Sequence, residues 1–232
     1  MISVQALSFR YADQPVLDNL DLELNGGEIM VLSGRSGVGK TTLARLIAGL
    51  EAPASGTIEI DGKQMHLGHS LVPPHLRSIS MVFQRPALWS HMTIEQHLKF
   101  VMPRHTLTRD QEINAILEMT GLNQLRHRRP HQLSEGQARR VALARAFSAA
   151  SRYIIMDEPL SNLDPDARES LIELIRNHAQ TKRTGLLYIT HDEHEAHSIG
   201  GKRCWLDKGK VKLMPVTNLT ATMKTEGMNH VD

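Results

Sequence analysis

"GRSGVGKT", residues 34–41, is the stretch whose reading decides the fold. It fits the pattern G-x-x-x-x-G-K-[ST], and its neighbours supply the setting that pattern requires. Before it runs "EIMVL" (28–32), a short apolar stretch of strand character. After it, Leu43, Leu46, Ile47 and Leu50 recur at spacings of three, four and seven, one face of a helix. Strand, glycine loop, helix is one unit of an α/β fold. The glycines let the backbone curl so that successive N–H groups point inward at phosphate oxygens. Gly34, Arg35, Ser36, Gly37, Val38, Gly39, Lys40, Thr41 and Thr42 are therefore expected to bind a nucleotide. Lys40 adds a point charge for the β- and γ-phosphates, and the Thr41 hydroxyl can ligate Mg²⁺.

Further along, "YIIMDE" (153–158) is an apolar run ending in two acids. Asp157 falls at the carboxyl end of a buried strand, the edge where open α/β sheets bind ligands, and suits Mg²⁺. Glu158 then lies near the γ-phosphate, placed to orient or deprotonate an attacking water. Two other strand-like runs end in polar residues: "SISMVF" before Gln84, and "LLYI" (186–189) shortly before His191. Either residue is ordinary alone. Each gains meaning from standing at a strand tip in a sheet that already carries a phosphate loop.

The first sixty residues read as β. Leu20, Leu22 and Leu24 alternate with Asp21 and Glu23, and "TIEIDG" (57–62) alternates likewise before a favoured Asp-Gly turn pair. "DPDARESLIELIRNHAQ" (164–180) is a marked helix, with Asp164 as cap and Pro165 at the first helical position. The middle, 88–148, has helical spacing and reads as a helical lobe inserted into the α/β core. Within it "LSEGQ" (133–137) has the S-x-x-Q form of a capping box; read chemically, its serine hydroxyl, glycine and exposed N–H groups at a helix start form a small anion site.

With 232 residues, 41% apolar and 22% charged, the chain has room for one substantial core. A net charge of +2 is too small to predict a nucleic-acid partner. The single Cys204 excludes an intramolecular disulfide framework. No secretory signal and no apolar run of membrane-spanning length is visible, so a soluble chain is expected, one that serves a membrane only through a partner.

Taken together, the chain resembles the ATPase subunits of ATP-binding cassette (ABC) transporters over nearly all its length. Tyr11 matches the aromatic that stacks on adenine, "GRSGVGKT" the Walker A loop and Gln84 the Q-loop glutamine. "LSEGQ" matches the signature, "YIIMDE" the Walker B strand, "SNLD" (161–164) the D-loop and His191 the switch histidine. A Walker A loop alone leaves kinases, GTPases and helicases open; the ordered set does not. The resemblance implies a P-loop NTPase (RecA-like) core, an N-terminal antiparallel β subdomain and an inserted α-helical signature lobe. The expected division is one domain over 1–232: core 1–87 and 149–215, lobe 88–148, and a tail 216–232. It implies ATP and Mg²⁺, with Glu158, His191 and Gln84 catalytic and Thr41, Gln84 and Asp157 at the metal.

It also implies a head-to-tail pair of cassettes, a homodimer or a pair of paralogues, in which Ser134, Gly136 and Gln137 close over the partner's ATP and Asp164 organises the seam. Membrane-spanning permease subunits would dock on "QRPALWSHMTIEQHL" (84–98), where Pro86, Leu88 and Trp89 form a lip or Trp89 is simply lobe core. An external substrate-binding protein could complete such a complex at the cytoplasmic face of the inner or plasma membrane. The nearest likeness is to bacterial small-solute importers; about twenty residues follow "KGKVKL", too few for the C-terminal regulatory domain many of them carry. The signature departs from L-S-G-G-Q at Glu135, whose side chain is expected to point away from the γ-phosphate.

Other readings carry less. "HDEHEAH" (191–197) lacks the spacing of a zinc helix, and "RHRRPHQLSEGQARR" (126–140) is a basic stretch without interleaved aromatics. An ABC-type ATPase of DNA repair or translation, without a membrane partner, stays as the alternative. A non-hydrolysing regulatory subunit would need a defective site, which Glu158 and His191 argue against.

Overall fold

The structure, a computed structural model, describes residues 1–67, 70–103, 108–161 and 163–214. The expected tail 216–232 lies outside them, as does Asn162 of "SNLD". The chain opens with β1 (Ile2–Tyr11) and β2 (Gln14–Leu24), followed by β3 (Ile29–Ser33), helix α1 (Lys40–Ala48) and β4 (Ser55–Ile60). Short strands β5 (Lys63–Gln64), β6 (His66–Leu67) and β7 (Ser70–Leu71) lead to β8 (Ile79–Val82). Three helices follow, α2 (Ile94–Val101), α3 (Arg109–Met119) and α4 (Glu135–Ser148). The chain then alternates through β9 (Tyr153–Asp157), α5 (Pro165–Lys182), β10 (Gly185–Ile189) and α6 (Glu193–Ile199), and closes with β11 (Lys202–Asp207) and β12 (Lys210–Leu213).

Two main sheets result. The first, antiparallel, has order β2-β1-β4-β5; β6 and β7 pair separately. In β2 the leucines at 20, 22 and 24 are buried and Asp21 and Glu23 exposed, as alternation requires. Asp61 and Gly62 turn β4 into β5, pairing Ile60 with Lys63. The second sheet has order β12-β11-β3-β10-β9-β8, parallel from β11 to β8, with β12 returning antiparallel.

The continuous apolar runs are explained by burial on both faces. In β10, Leu187 and Ile189 join one core with α1 and the antiparallel sheet, while Leu186 and Tyr188 join another with α4, α5 and α6. Each such side chain contributes roughly 1.5–3 kcal/mol by leaving water. A third cluster lies among α2, α3 and α4, built from Ile94, Leu98, Ile113, Leu117 and Val141.

One helix ends earlier than its apolar spacing predicts. Leu43, Leu46 and Ile47 are buried, but α1 stops before Gly49, and Leu50 lies beyond it, 46% exposed. Gly49 is left-handed at φ 80°, with its N–H returned to Arg45 and Leu46 carbonyls. The Arg77 guanidinium fills the helix end that this glycine leaves open. Its Nη1 donates to the carbonyls of Leu46 (3.0 Å) and Ile47 (2.8 Å), its Nε to Val72 and its Nη2 to Met65. A Cβ at position 49 would sit 2.3 Å from Arg77 Nε, so only glycine fits. Burial pulls the Arg77 pKa down to about 10.

The capping predictions for the other helices match the structure. Asp164 Oδ1 accepts from Ala167 N at 2.9 Å, with Pro165 at the first position of α5. Ser134 Oγ accepts from Gln137 N (3.2 Å) while Gln137 Oε1 accepts from Ser134 N (3.0 Å), a complete capping box for α4.

Candidate functional site

Because β3, β8, β9 and β10 run parallel, their carboxyl ends share one edge of the sheet. Ile189 pairs with both Leu32 and Asp157, and Val82 with Met156. The loop 34–41, Gln84, Asp157, Glu158 and His191 therefore converge on that edge, although they come from four separate parts of the sequence.

The glycine loop packs against β2 and ends at Gly39, which caps α1 at φ 109°. A Cβ there would lie 2.8 Å from Val16 Cγ1, so a side chain would push the loop off the sheet. Gly39 brings no side chain to occupy the first-turn amides of α1, the group of donors that binds anions at helix starts. Lys40 is buried, with Nζ donating to the carbonyls of Gly34 (2.8 Å) and Arg35 (3.0 Å). Burial lowers its pKa, opposed by the nearby charges of Glu158 and Asp157.

At the end of β9, Asp157 is buried and its carboxyl is pushed up by burial, against a hydrogen bond from the Thr41 side chain; the adjacent Glu158 raises it further. Two adjoining carboxylates, one of them desolvated and hydrogen-bonded to a threonine, form an oxygen-rich corner that a hard divalent cation would relieve. The residues thus fit Mg²⁺.

Glu158 leaves the strand in the left-handed region, φ 46°, with its N–H held by the Ile189 carbonyl at 2.9 Å. Its carboxylate is bracketed: Gln84 Nε2 donates to Oε2 at 3.1 Å, and His191 Nδ1 lies 3.0 Å from Oε1. The segments on either side of His191 are tied down. Buried Glu195 accepts from Tyr188 and Thr190 hydroxyls (3.0 and 2.9 Å), Asp192 caps α6, and Arg168 pairs with Asp192 at 2.9 Å.

The other expected residues lie around this centre. Tyr11, exposed at the end of β1, donates its hydroxyl to Glu51 (2.8 Å) and sets its ring edge-on to Phe9, centroids 4.8 Å apart. A cavity of about 790 Å³ beside the loop is lined by Phe9, Val16, Gly37, Val38 and Lys208 among others, and Tyr11 is outside that lining. Phe9 and Val16 were not singled out from sequence. The signal was present for Phe9, since residues two apart on a strand share a face. The α4 cap, Ser134 to Gln137, stands beside the turn that carries Asp164: a Cβ on Gly136 would touch Leu163 at 3.6 Å. The Glu135 side chain turns back along its helix to Arg139, 2.9 Å away.

Trp89 is half-buried, stacked on His97 with Phe100 at its edge and the Arg145 guanidinium 5.0 Å from its ring. It is neither wholly lip nor wholly core. The histidines of "HDEHEAH" diverge, His191 to Glu158 and His194 to Glu169. The basic stretch 126–140 is dispersed as well: Arg126 pairs with Glu95 and Arg139 is buried. Among the described residues no helix is long and apolar enough to cross a membrane.

A parallel sheet with a phosphate loop after β3 and two acids at the end of β9 defines the P-loop nucleotide-binding class. Within it the chain belongs to the ABC transporter family, whose sequence model matches residues 17–161. It is 36% identical over 213 residues to the "Putrescine transport ATP-binding protein PotG" of Escherichia coli, covering 90% of this chain and 55% of that protein. It is 37% identical over 218 residues to the "Sulfate/thiosulfate import ATP-binding protein CysA" of Rhodopseudomonas palustris, covering 91% and 62%. The chain thus spans little more than half the length of these relatives. Among solved structures, one described as the ATP binding subunit of an ABC transporter superposes with a TM-score of 0.80 at 26% identity, covering 91% of this chain and 88% of that one. The cbiO1 protein of Clostridium perfringens gives 0.79 at 28%, covering 91% and 86%.

Proposed function

We propose that the chain is the ATP-hydrolysing subunit of an ABC importer, working at the cytoplasmic face of a membrane through permease subunits. The observation that carries this is the bracketed carboxylate: Glu158 held between Gln84 and His191 on the sheet edge that also presents Lys40. Core 1–87 and 149–215 would hold the nucleotide, and lobe 88–148, with its own apolar cluster, would carry the signature.

The loop 34–42 binds the triphosphate through backbone amides, Lys40 and the start of α1. Thr41, Asp157 and Gln84 would hold Mg²⁺, which neutralises phosphate charge. Glu158 accepts a proton from water as its oxygen bonds to the γ-phosphorus; the bond to the β-phosphate oxygen breaks, leaving ADP and phosphate. His191 and Gln84 orient the carboxylate and the attacking water. Ser134, Gly136 and Gln137 of a second cassette complete the anion site, with Asp164 near the seam and Tyr11 toward the base. The phosphate charge needs both half-sites to be buried, so ATP favours the closed pair, and hydrolysis removes that preference.

Relatives of similar identity are named as ATP-binding proteins of putrescine transport and of sulfate/thiosulfate import. The solute is therefore set by other chains, with an external binding protein among the candidates. Those transport names favour this reading over a role in DNA repair or translation.

The test is phosphate release and light scattering on the purified chain with ATP and Mg²⁺. Turnover should rise more steeply than linearly with protein concentration. Glu158→Gln should pair in the presence of ATP without turning it over. Full-speed hydrolysis by a monomer, or by that variant, would overturn the proposal.

A further inference from the structure

The departure at Glu135 has a partner that the ATPase reading leaves unused. Arg139, one turn along α4 and only 5% exposed, spreads its guanidinium over four residues on three segments. Nη1 donates to the carbonyls of Gln84 (3.2 Å) and Pro159 (2.9 Å), and Nη2 to Glu135 Oε1 (2.9 Å) and Ser161 Oγ (3.4 Å). Ser161 Oγ in turn donates to the carbonyl of Glu158 at 3.2 Å. One buried cation therefore touches the backbone on one side of Glu158, the backbone of the residue whose amide brackets its carboxylate, and the first turn of the signature helix.

We infer that Arg139 is a positioning residue that makes the α4 tip, the Gln84 tip and the 158–161 turn move as one body, with Glu135 as its charge partner. This rests on the ATPase reading of the same site. A planar, forked, permanently charged donor is needed, because two carbonyls and a carboxylate must be reached from one point. Glu135 does two things at once. It neutralises a guanidinium that would otherwise sit desolvated among neutral acceptors, and it turns its own charge away from the anion-binding end of the helix. Arg139 thus explains how a carboxylate is accommodated at the third place of the signature: the pair is internally compensated and adds no net charge to the helix tip.

The coupling gives distinct signatures. Arg139→Gln should lower kcat at least tenfold while KM for ATP stays within about twofold, because the nucleotide loop is untouched. Arg139→Lys, which keeps the charge but cannot fork, should recover only part of that loss. Glu135→Gly should lower kcat less than Arg139→Gln, and the double variant should lose less than the product of the two single losses. Independently of turnover, hydrogen exchange at the amides of 84–88 and 158–161 should speed up at least tenfold in Arg139→Gln, with 34–48 unchanged. Absence of ATPase in the wild type sinks the proposed function and leaves the exchange arm to decide this one. Unchanged exchange at both segments, a loss confined to KM, or strictly multiplicative single losses would overturn the positioning role.

Discussion

His191 Nδ1 lies 3.0 Å from Glu158 Oε1 while Gln84 Nε2 donates to Oε2 of the same carboxylate, so one acid is gripped from both sides by residues separated by more than a hundred positions in the chain. Holding a carboxylate in one rotamer matters most if it must meet a water in a fixed place. His191→Ala should therefore reduce ATP turnover by about 10²-fold, within the range for a misaligned proton acceptor. Nucleotide affinity should hold. Equal losses in affinity and rate would place His191 in binding.

Lys40 offers a contrast, since its ammonium donates to two carbonyls of its own loop and feels the charges of Glu158 and Asp157. Lys40→Met should cut nucleotide affinity at least about tenfold by removing the charge aimed at the phosphates. Its thermal midpoint should change little, because a buried charge replaced by an apolar side chain of similar length is often nearly neutral for stability. Equilibrium nucleotide binding and a melting curve on the same sample check both halves.

Arg77 lies away from the sheet edge and should act on stability. Its truncation to Ala would leave carbonyls at the end of α1 and in the 65–72 segment without their donor. The expected cost is about 3 kcal/mol, read from denaturant midpoints at constant slope. Gly49→Ala should be comparably damaging through collision with the same guanidinium. A midpoint shift near zero in Arg77→Ala would show that water replaces it.

His178 should make stability depend on pH. It is buried, stacked on Phe147 at 3.9 Å, and its pKa is held down to about 4 by burial and then by Lys182. The neutral ring is the folded form, whereas the unfolded ring titrates near 6.5. Stability from this group is complete above about pH 6.5 and is lost as pH falls toward 4, at most about 3 kcal/mol. Buried His97 is shifted in the same direction. His178→Phe should keep the stack and flatten the acid side of a midpoint-versus-pH curve. Parallel curves for both proteins would remove His178 from the account.

Several features were legible because they are local. The glycine loop, the Asp164 and Ser134 caps and the alternation of β2 depend on residues within a few positions of one another, and a linear pattern displays them. The two-faced burial of β10 was legible too, as an uninterrupted apolar run. Tyr11 shows where locality stops. The resemblance singles it out as an aromatic near the nucleotide, but only the packed strands reveal that Phe9 and Val16, rather than Tyr11, line the cavity beside the loop.

What the sequence alone determined is the type of the elements it marks, β2, β3, α1, β4, β9, α5 and β10 among them, and the residues standing at strand ends, since backbone geometry and apolar period act over one or two turns. Tertiary structure decided what satisfies the carbonyls at the end of α1, because Arg77 reaches them from 31 residues away, and what Arg139 does, because its carbonyl partner at Gln84 lies 55 residues upstream. A long cationic side chain on a helix face looks like solvent-facing surface until the fold buries it. Its hydrogen-bond partners are then backbone carbonyls, which every residue possesses and no sequence pattern marks.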